Sequence, residues 1–278
     1  MTILIHLVSS ISRMEESLIA EALSKWARIV NVNPRTTVFE VGEGYADAAV
    51  IRSISLYESI YTAAAYESNN VFTVNNSNSL VLAGDKMLTY SAMTRGGIPI
   101  PRTVYVPGSN GNPDIGVEYP AVSKPPVGSW GRLVSMVRNK AELNMILGLR
   151  NNMPCSIQRN LLVQEYIRTY GDIRCIVING TLVGCMRRKP VKGDWRANIA
   201  LGGRSEAFKP NPVIEEASLK AAGVIGGFFV SIDLFETEDS RVLVNEVNGV
   251  PEFKGFLRAT GVNPAEVLSA ELRTALRK

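Results

Sequence analysis

Hydrophobic and polar positions change period several times along this 278-residue chain. Residues 2–8 are almost continuously apolar, the pattern of a buried strand. From Glu15 to Val30, Leu18, Ile19, Ala22, Leu23 and Trp26 fall at helical spacing and predict an amphipathic helix. Apolar runs at 48–52 and 71–74 predict two more buried strands, flanking a helix over 56–68, and the polar stretch Asn75–Ser79 follows. Strands alternating with helices predict a small parallel α/β unit. No GxGxxG opens its first helix, so nothing there marks a dinucleotide site.

A second pattern starts at Gly84-Asp-Lys86, a helix start running to Arg95 and broken by Gly96–Pro101. Strands are predicted at 102–106 and 119–124, then a glycine-bearing loop over 125–131 and a helix over 139–149. From Leu162 the chain turns strand-rich, with 163–167, 172–178 and 182–187 alternating with turn residues. Asn179-Gly180 is a strong hairpin signal. A helix over 212–223 leads into strands at 228–236 and 241–248 joined by a polar turn, and the segment from Pro264 is helical.

No apolar run approaches the roughly 18–20 residues needed to cross a bilayer. The apolar start lacks the basic region and small-residue cleavage site of a signal peptide. A cytoplasmic protein is expected, with no membrane partner. Cys155, Cys175 and Cys185 are odd in number and lack CxxC spacing. That argues against a disulfide framework or a zinc site and predicts small buried hydrophobes at all three. The one histidine, His6, lies in the first strand and reads as a core or strand-end residue. Histidine-based triads and His-rich metal centres are thereby excluded. The net charge of +4 comes without basic runs or interleaved aromatics, which disfavours a nucleic-acid binder. It suits anionic small substrates or an acidic protein partner.

The strongest constellation is the hairpin Val230-Ser-Ile-Asp233 and Val244-Asn-Glu246-Val-Asn248. Folding it about Glu238–Asp239 predicts Asp233 opposite Val244, with Glu246 a diagonal neighbour on the same face and Asn248 beside it. Two carboxylates and an amide oxygen are hard ligands suited to Mg²⁺. A solvated polar face is the alternative, but the flanking Phe228-Phe-Val and Val242-Leu-Val are core-like. Like charges there would repel unless a cation neutralised them. Lys86 and Lys124 stand beside glycines, and the loop Gly128-Ser129-Trp130-Gly131 offers backbone amides to a polyphosphate. Each alone also reads as a surface feature, and the loop is not a Walker sequence. Arg174 stands between apolar neighbours, where an unpaired guanidinium is costly, and Arg187-Arg188-Lys189 continues the next strand. Carboxylate or phosphate binding is the expectation for these arginines.

In order along the chain, Asp85-Lys86, Ser123-Lys-Pro-Pro-Val-Gly-Ser-Trp-Gly-Arg132, Gln164-Glu-Tyr-Ile167 and Gly171-Asp-Ile-Arg174 carry a resemblance. Arg187-Arg188, Asn198, Gly202-Gly203, Asp233-Leu-Phe-Glu236 and Asn245-Glu-Val-Asn-Gly-Val-Pro-Glu-Phe-Lys254 complete it. The set resembles the ATP-grasp superfamily over nearly the whole chain. The nearest branch is that of RimK-like ribosomal-protein glutamate ligases and the LysX/ArgX amino-acid ligases. The resemblance implies an α/β (α+β) ATP-grasp fold: a small parallel domain over 1–83, then two grasp subdomains over 84–161 and 162–278. It implies ATP held by Lys86, Lys124, Gly128, Ser129, Trp130, Gly131, Arg132, Gln164, Glu165, Tyr166, Ile167, Asp172, Arg174, Arg188 and Asn198. Within that set the Gln164–Ile167 segment would hold adenine and Asp172 would approach the ribose. Catalytic roles fall to Arg188, Asn198 and Lys124, and Asp233, Glu246 and Asn248 match Mg²⁺ ligands, for two ions.

Substrate contacts are implied for Ile199, Ala200, Glu246, Asn248, Glu252, Phe253, Lys254, Gly255, Phe256 and Arg258. The pair Gly255-Phe256 looks like the glutamate-specific ArgX signature, with Phe256 shortening the pocket, whereas plain core packing is its other reading. The implied reaction joins glutamate to a small acidic carrier protein, LysW, through an acyl phosphate, in a homo-oligomer (dimer or tetramer). A 2-aminoadipate ligase or a ribosomal-protein glutamate ligase is the rival within the class. A nucleotide-regulated module without turnover is the rival outside it.

Overall fold

The structure is a computed structural model that describes residues 2–44, 46–108, 115–191 and 203–277. β1 (Leu4–Val8), α1 (Met14–Ser24), β2 (Arg28–Val32), β3 (Ala48–Ile51), α2 (Leu56–Glu67) and β4 (Phe72–Val74) come first. Their strands form a parallel sheet of order β2-β1-β3-β4. α3 (Ser77–Gly84) and α4 (Lys86–Arg95) lead to β5 (Thr103–Val106), β6 (Ala121–Lys124), β7 (Ser135–Val137), α5 (Lys140–Asn151), α6 (Ser156–Arg159) and β8 (Leu161–Glu165). These strands make an antiparallel sheet of order β5-β8-β6-β7. β9 (Asp172–Ile178), β10 (Thr181–Lys189), β11 (Arg204–Phe208), α7 (Pro212–Ile225), β12 (Phe229–Glu236) and β13 (Val242–Asn248) follow, and α8 (Lys254–Thr260) and α9 (Pro264–Ala275) close the chain. The last sheet is antiparallel, of order β11-β10-β9-β12-β13. The mixed α/β class is therefore as expected.

Several boundaries differ from the sequence reading, each for a local reason. The helix expected over 15–30 ends at Ser24, because β-branched Ile29 and Val30 pair in parallel with Ile5 and His6 of β1. The polar stretch Asn75–Ser79, for which no element is predicted, holds the start of α3, where Asn76 accepts a hydrogen bond from the Ser79 amide at 2.8 Å. β7, β11 and α8 were not anticipated, being short segments with weak periodicity. β8 is hydrogen-bonded to β5 and β6, so the strand at the 161/162 boundary lies in the middle sheet.

The first and last sheets share a core. Ile5, Leu7, Val50 and Val74 pack with α1, with Ile176, Ile178 and Phe229 of the last sheet, and with Phe253, Phe256, Leu268 and Leu272. Asn75 pins the two sheets together, donating to the carbonyls of Phe229 and Gly249 at 2.6 and 2.7 Å and accepting from the Phe229 amide at 2.8 Å. The other face of the last sheet packs on α7 and Met93 of α4. The middle sheet keeps a core of its own with α5. His6 is structural: its Nδ1 lies 2.7 Å from the Tyr66 hydroxyl, and burial lowers its pKa.

The cysteines correct the sequence reading. The two-residue turn at Asn179-Gly180 and a bulge near Leu182–Gly184 bring Cys175 and Cys185 into register. Their Cα atoms are 4.1 Å apart and the sulfurs form a disulfide. Cys155 is exposed and free. Linear spacing hid the pairing because the bulge decides it. The bridge closes a loop with a sequence separation of 10. Replacing both by alanine is expected to lower unfolding free energy by about 2–3 kcal/mol, read as a shift in the denaturant midpoint.

Candidate active site

One cavity of about 770 Å³ lies where all three sheets converge. Every described residue of the expected nucleotide, metal and substrate set lines it, apart from Phe253 and Phe256. Asn198, Ile199, Ala200 and Gly202 lie outside the described residues.

At the middle-sheet wall, Asp85 caps α4 by accepting from the Met87 amide at 2.8 Å, and the Lys86 amide donates to the Pro126 carbonyl at 2.8 Å. This fixes the start of α4 against the glycine loop. Lys86 then reaches the Gly128 carbonyl at 2.8 Å and Glu246 at 2.9 Å. Trp130 and Gly131 have positive φ of 58° and 68°, and Arg132 stacks 5.0 Å from the Trp130 ring centroid. Lys124, at the end of β6, donates to Tyr90 Oη at 2.5 Å, Gln164 Oε1 at 2.8 Å and Asn245 Oδ1 at 3.1 Å. Burial, reinforced by nearby Lys86 and opposed by Glu246, brings its pKa down to about 7.

The floor is an arginine–carboxylate cluster. Arg174 makes a two-pronged contact with Asp233, both bonds 2.7 Å. Arg188 does the same with Asp172, at 2.5 and 2.6 Å, and adds a bond to Asp233 at 2.7 Å. Despite burial, the two guanidiniums hold the Asp233 carboxyl well below the usual range. Burial outweighs Arg188 at Asp172, whose pKa is raised. Gly171 permits this geometry: its φ is +121°, and a Cβ there would lie 2.0 Å from the Arg188 carbonyl oxygen. Asp172, expected near a ribose, commits both oxygens to Arg188. The anion inferred for Arg174 is internal, namely Asp233.

The metal hairpin has another register than expected. Asp233 pairs directly with Glu246, and Leu234 with Val244, so Asn245 forms a bulge. The bulge turns Asn245 into the cavity beside Glu246 and Asn248. Arg174, Arg188 and Lys86 already balance these carboxylates, so their mutual repulsion does not by itself call for a cation. Among the described residues no three His, Cys, Asp or Glu side chains cluster for a metal, so a site here needs the Asn248 amide. The donor set of two facing carboxylates and that amide fits a hard cation, and Asn248 Nδ2 is buried without a hydrogen-bond partner.

The far end is built partly by the first sheet, which sequence reasoning missed. Arg13, Glu15 and Ser53, just beyond the C-terminal ends of β1 and β3, line the cavity. The position after a parallel strand is the available signal. Arg13 bridges Glu16 and Glu252, each at 2.8 Å, and buried Arg52 reaches Glu16 at 3.1 Å and the Pro251 carbonyl at 2.9 Å. Lys254 and Arg258, four residues apart on α8, present their side chains to the cavity. Phe253 and Phe256 face the opposite way, fully buried in the shared core, with the Phe256 ring against Gly184. Phe256 thus takes the core-packing reading of the two, since helical spacing that aims Gly255 and Arg258 at the cavity turns its ring away. Phe256→Ala is expected to cost about 3–5 kcal/mol of stability. In competition assays it is expected to leave the choice between amino acids little changed.

Comparison with known proteins completes the picture. A family model described as a RimK-like ATP-grasp domain matches residues 83–272. A protein of Sulfolobus acidocaldarius named glutamate–LysW ligase ArgX is 43% identical over 270 residues, spanning 95% of this chain and 96% of that one. A second from the same organism, named alpha-aminoadipate–LysW ligase LysX, is 31% identical over 95% of this chain and 99% of its own. Among solved structures, a RimK domain ATP-grasp protein from Sphaerobacter thermophilus superposes with a TM-score of 0.79 at 23% identity, covering 96% of this chain and 98% of that one.

Proposed function

Because the chain belongs to the RimK-like ATP-grasp family, we propose that it is a glutamate–LysW ligase, joining the α-amine of glutamate to a side-chain carboxylate of a small acidic carrier protein. The observation that carries this reading is the cavity in which Lys86, Lys124, Arg174 and Arg188 face the carboxylates of Asp233 and Glu246. Greater identity to the ArgX-named relative than to the LysX-named one favours glutamate over 2-aminoadipate. The 83/84 boundary would separate a substrate-side body from the two halves that grip ATP, and the division between those halves falls after β8 rather than at 161/162, because β8 pairs with β5 and β6.

The carrier's carboxylate oxygen attacks the γ-phosphorus of ATP, ADP leaves, and an acyl phosphate results. The α-amine of glutamate then attacks the acyl carbon, phosphate departs, and the amine proton is lost. Lys86, Lys124 and the amides of Gly128–Gly131 bind the polyphosphate, and the segment from Gln164 to Ile167 borders the base. Arg174 and Arg188 exchange their carboxylate partners for phosphate oxygens, with Asn198 assigned beside them by resemblance. Asp233, Glu246 and Asn248 would hold Mg²⁺, two ions in this reading, which supplies charge neutralisation for phosphoryl transfer. Lys254 and Arg258 pair with the carboxylates of glutamate. Positioning and electrostatics carry both steps without a dedicated base.

The reading includes a cytoplasmic homo-oligomer. Among the described residues no helix is long and apolar enough to cross a membrane. Both bridged cysteines are buried, which shields the disulfide from thiol reductants. Purified protein with ATP, Mg²⁺ and carrier, offered glutamate against 2-aminoadipate, tests the substrate choice. Mass gain of one glutamate on the carrier supports it; preference for 2-aminoadipate, or transfer only to a ribosomal protein, overturns it.

Lys124 gives this function a pH signature. Its pKa falls from 10.5 to about 7 in the nucleotide-free fold, so the unfolded chain binds the extra proton between those values. Its contribution therefore makes the free protein more stable as pH rises through that window. A phosphate favours the protonated form, so nucleotide affinity runs the other way. The rise in melting temperature caused by MgATP is expected to be smaller at pH 9 than at pH 7.

A further inference from the structure

Tyr90 does not line the cavity, yet it touches three elements that build it. It lies one turn beyond Lys86 on α4 and is buried. Its hydroxyl donates to the Asn245 carbonyl at 2.8 Å and accepts from Gln164 Nε2 at 3.1 Å and Lys124 Nζ at 2.5 Å. The Lys124 ammonium also lies 5.1 Å from the Tyr90 ring centroid. All three ammonium hydrogens are committed to neutral oxygens, those of Tyr90, Gln164 and Asn245.

We infer that Tyr90 is a positioning residue for nucleotide binding, holding Lys124 from behind the cavity while fixing the Asn245 bulge that carries Glu246. Of the three partners, Gln164 and Asn245 line the cavity, and the longer of those two contacts is the one to Asn245 Oδ1, 3.1 Å against 2.8 Å. A phosphate oxygen replaces that contact, while Tyr90 and Gln164 keep the nitrogen in place. A single hydroxyl thereby sets the spacing between the phosphate-binding strand β6 and the carboxylate-bearing strand β13. The inference rests on the nucleotide half of the proposed function and uses neither glutamate nor the carrier.

Tyr90→Phe retains the ring and removes the hydroxyl. Calorimetric titration of the full chain with MgADP is expected to show a Kd raised about tenfold, the size of a lost hydrogen bond to a charged group. The KM for ATP should rise in parallel, with that for glutamate unchanged. Tyr66→Phe, which deletes a hydroxyl paired with His6 outside the cavity, should alter neither. Adding Tyr90→Phe to Lys124→Met should weaken MgADP by clearly less than the tenfold of the single change, because the part of the hydroxyl's effect that runs through the ammonium is already lost and only its hold on the Asn245 bulge remains. Unchanged MgADP affinity in Tyr90→Phe, or a full additional loss in the double variant, overturns the inference and leaves Tyr90 a packing residue. Absence of MgADP binding by the unmutated protein overturns the nucleotide site itself, and the inference with it.

Discussion

Glu246→Ala is expected to reduce carrier-dependent ADP release by about a thousandfold or more while the protein melts close to the unmutated temperature. The kinetic loss follows from removing the more accessible carboxylate of the Mg²⁺ set, since neutralising charge on a transferring phosphoryl group is where this chemistry gains most of its rate. The mild stability effect follows from its surroundings. Its partner is the buried Lys86 at 2.9 Å, which keeps the Gly128 carbonyl at 2.8 Å when the carboxylate is removed, and the carboxylate itself is 25% exposed, so the cost stays near the upper end of the range for partly solvated pairs, about 1 kcal/mol. Steady-state ADP release and a melting curve on the same preparation check both halves. Retained turnover would dismiss Glu246 as a metal ligand.

Asp233→Ala is expected to fail in the opposite sense, through the fold. Its carboxylate takes bonds from Arg174 and Arg188 and is 2% exposed, so its removal strands buried guanidinium charge. Breaking a buried pair of this kind costs about 3–5 kcal/mol, which chemical denaturation would register as a lower midpoint. Acid acts on the same contact. Because the folded pKa is depressed, the stabilisation is fully present above the unfolded value of about 3.9 and is lost as pH falls below it. A midpoint indifferent to both mutation and acid would show that the arginines are satisfied without Asp233.

What could be read from the chain follows the range of the interactions involved. The α/β start, the Lys86 helix, the hairpin at Asn179-Gly180 and the acidic hairpin are local patterns, and period or turn chemistry announces each. Features set by long-range register were not legible. The Asn245 bulge changes which residue faces Asp233, and a second bulge brings Cys175 onto Cys185. The same holds for partners. Arg174 was recognisable as needing an anion, but only the sheet order β10-β9-β12 reveals that Asp233 supplies it. The two readings of Phe256 stayed open in the sequence because the turn of a seven-residue helix, α8, decides which side chain meets the cavity.

The separate core of the middle sheet has a mechanical consequence. Val106, Ala121, Leu143, Leu161 and Val163 bury one another without help from the other two sheets. Among the contacts that tie this layer to its neighbours are polar clasps, such as Lys86 to Gly128 and Lys124 to Asn245. Those clasps are the ones a polyphosphate would take over, so under the proposed function the nucleotide itself becomes the rivet between this layer and the rest of the molecule.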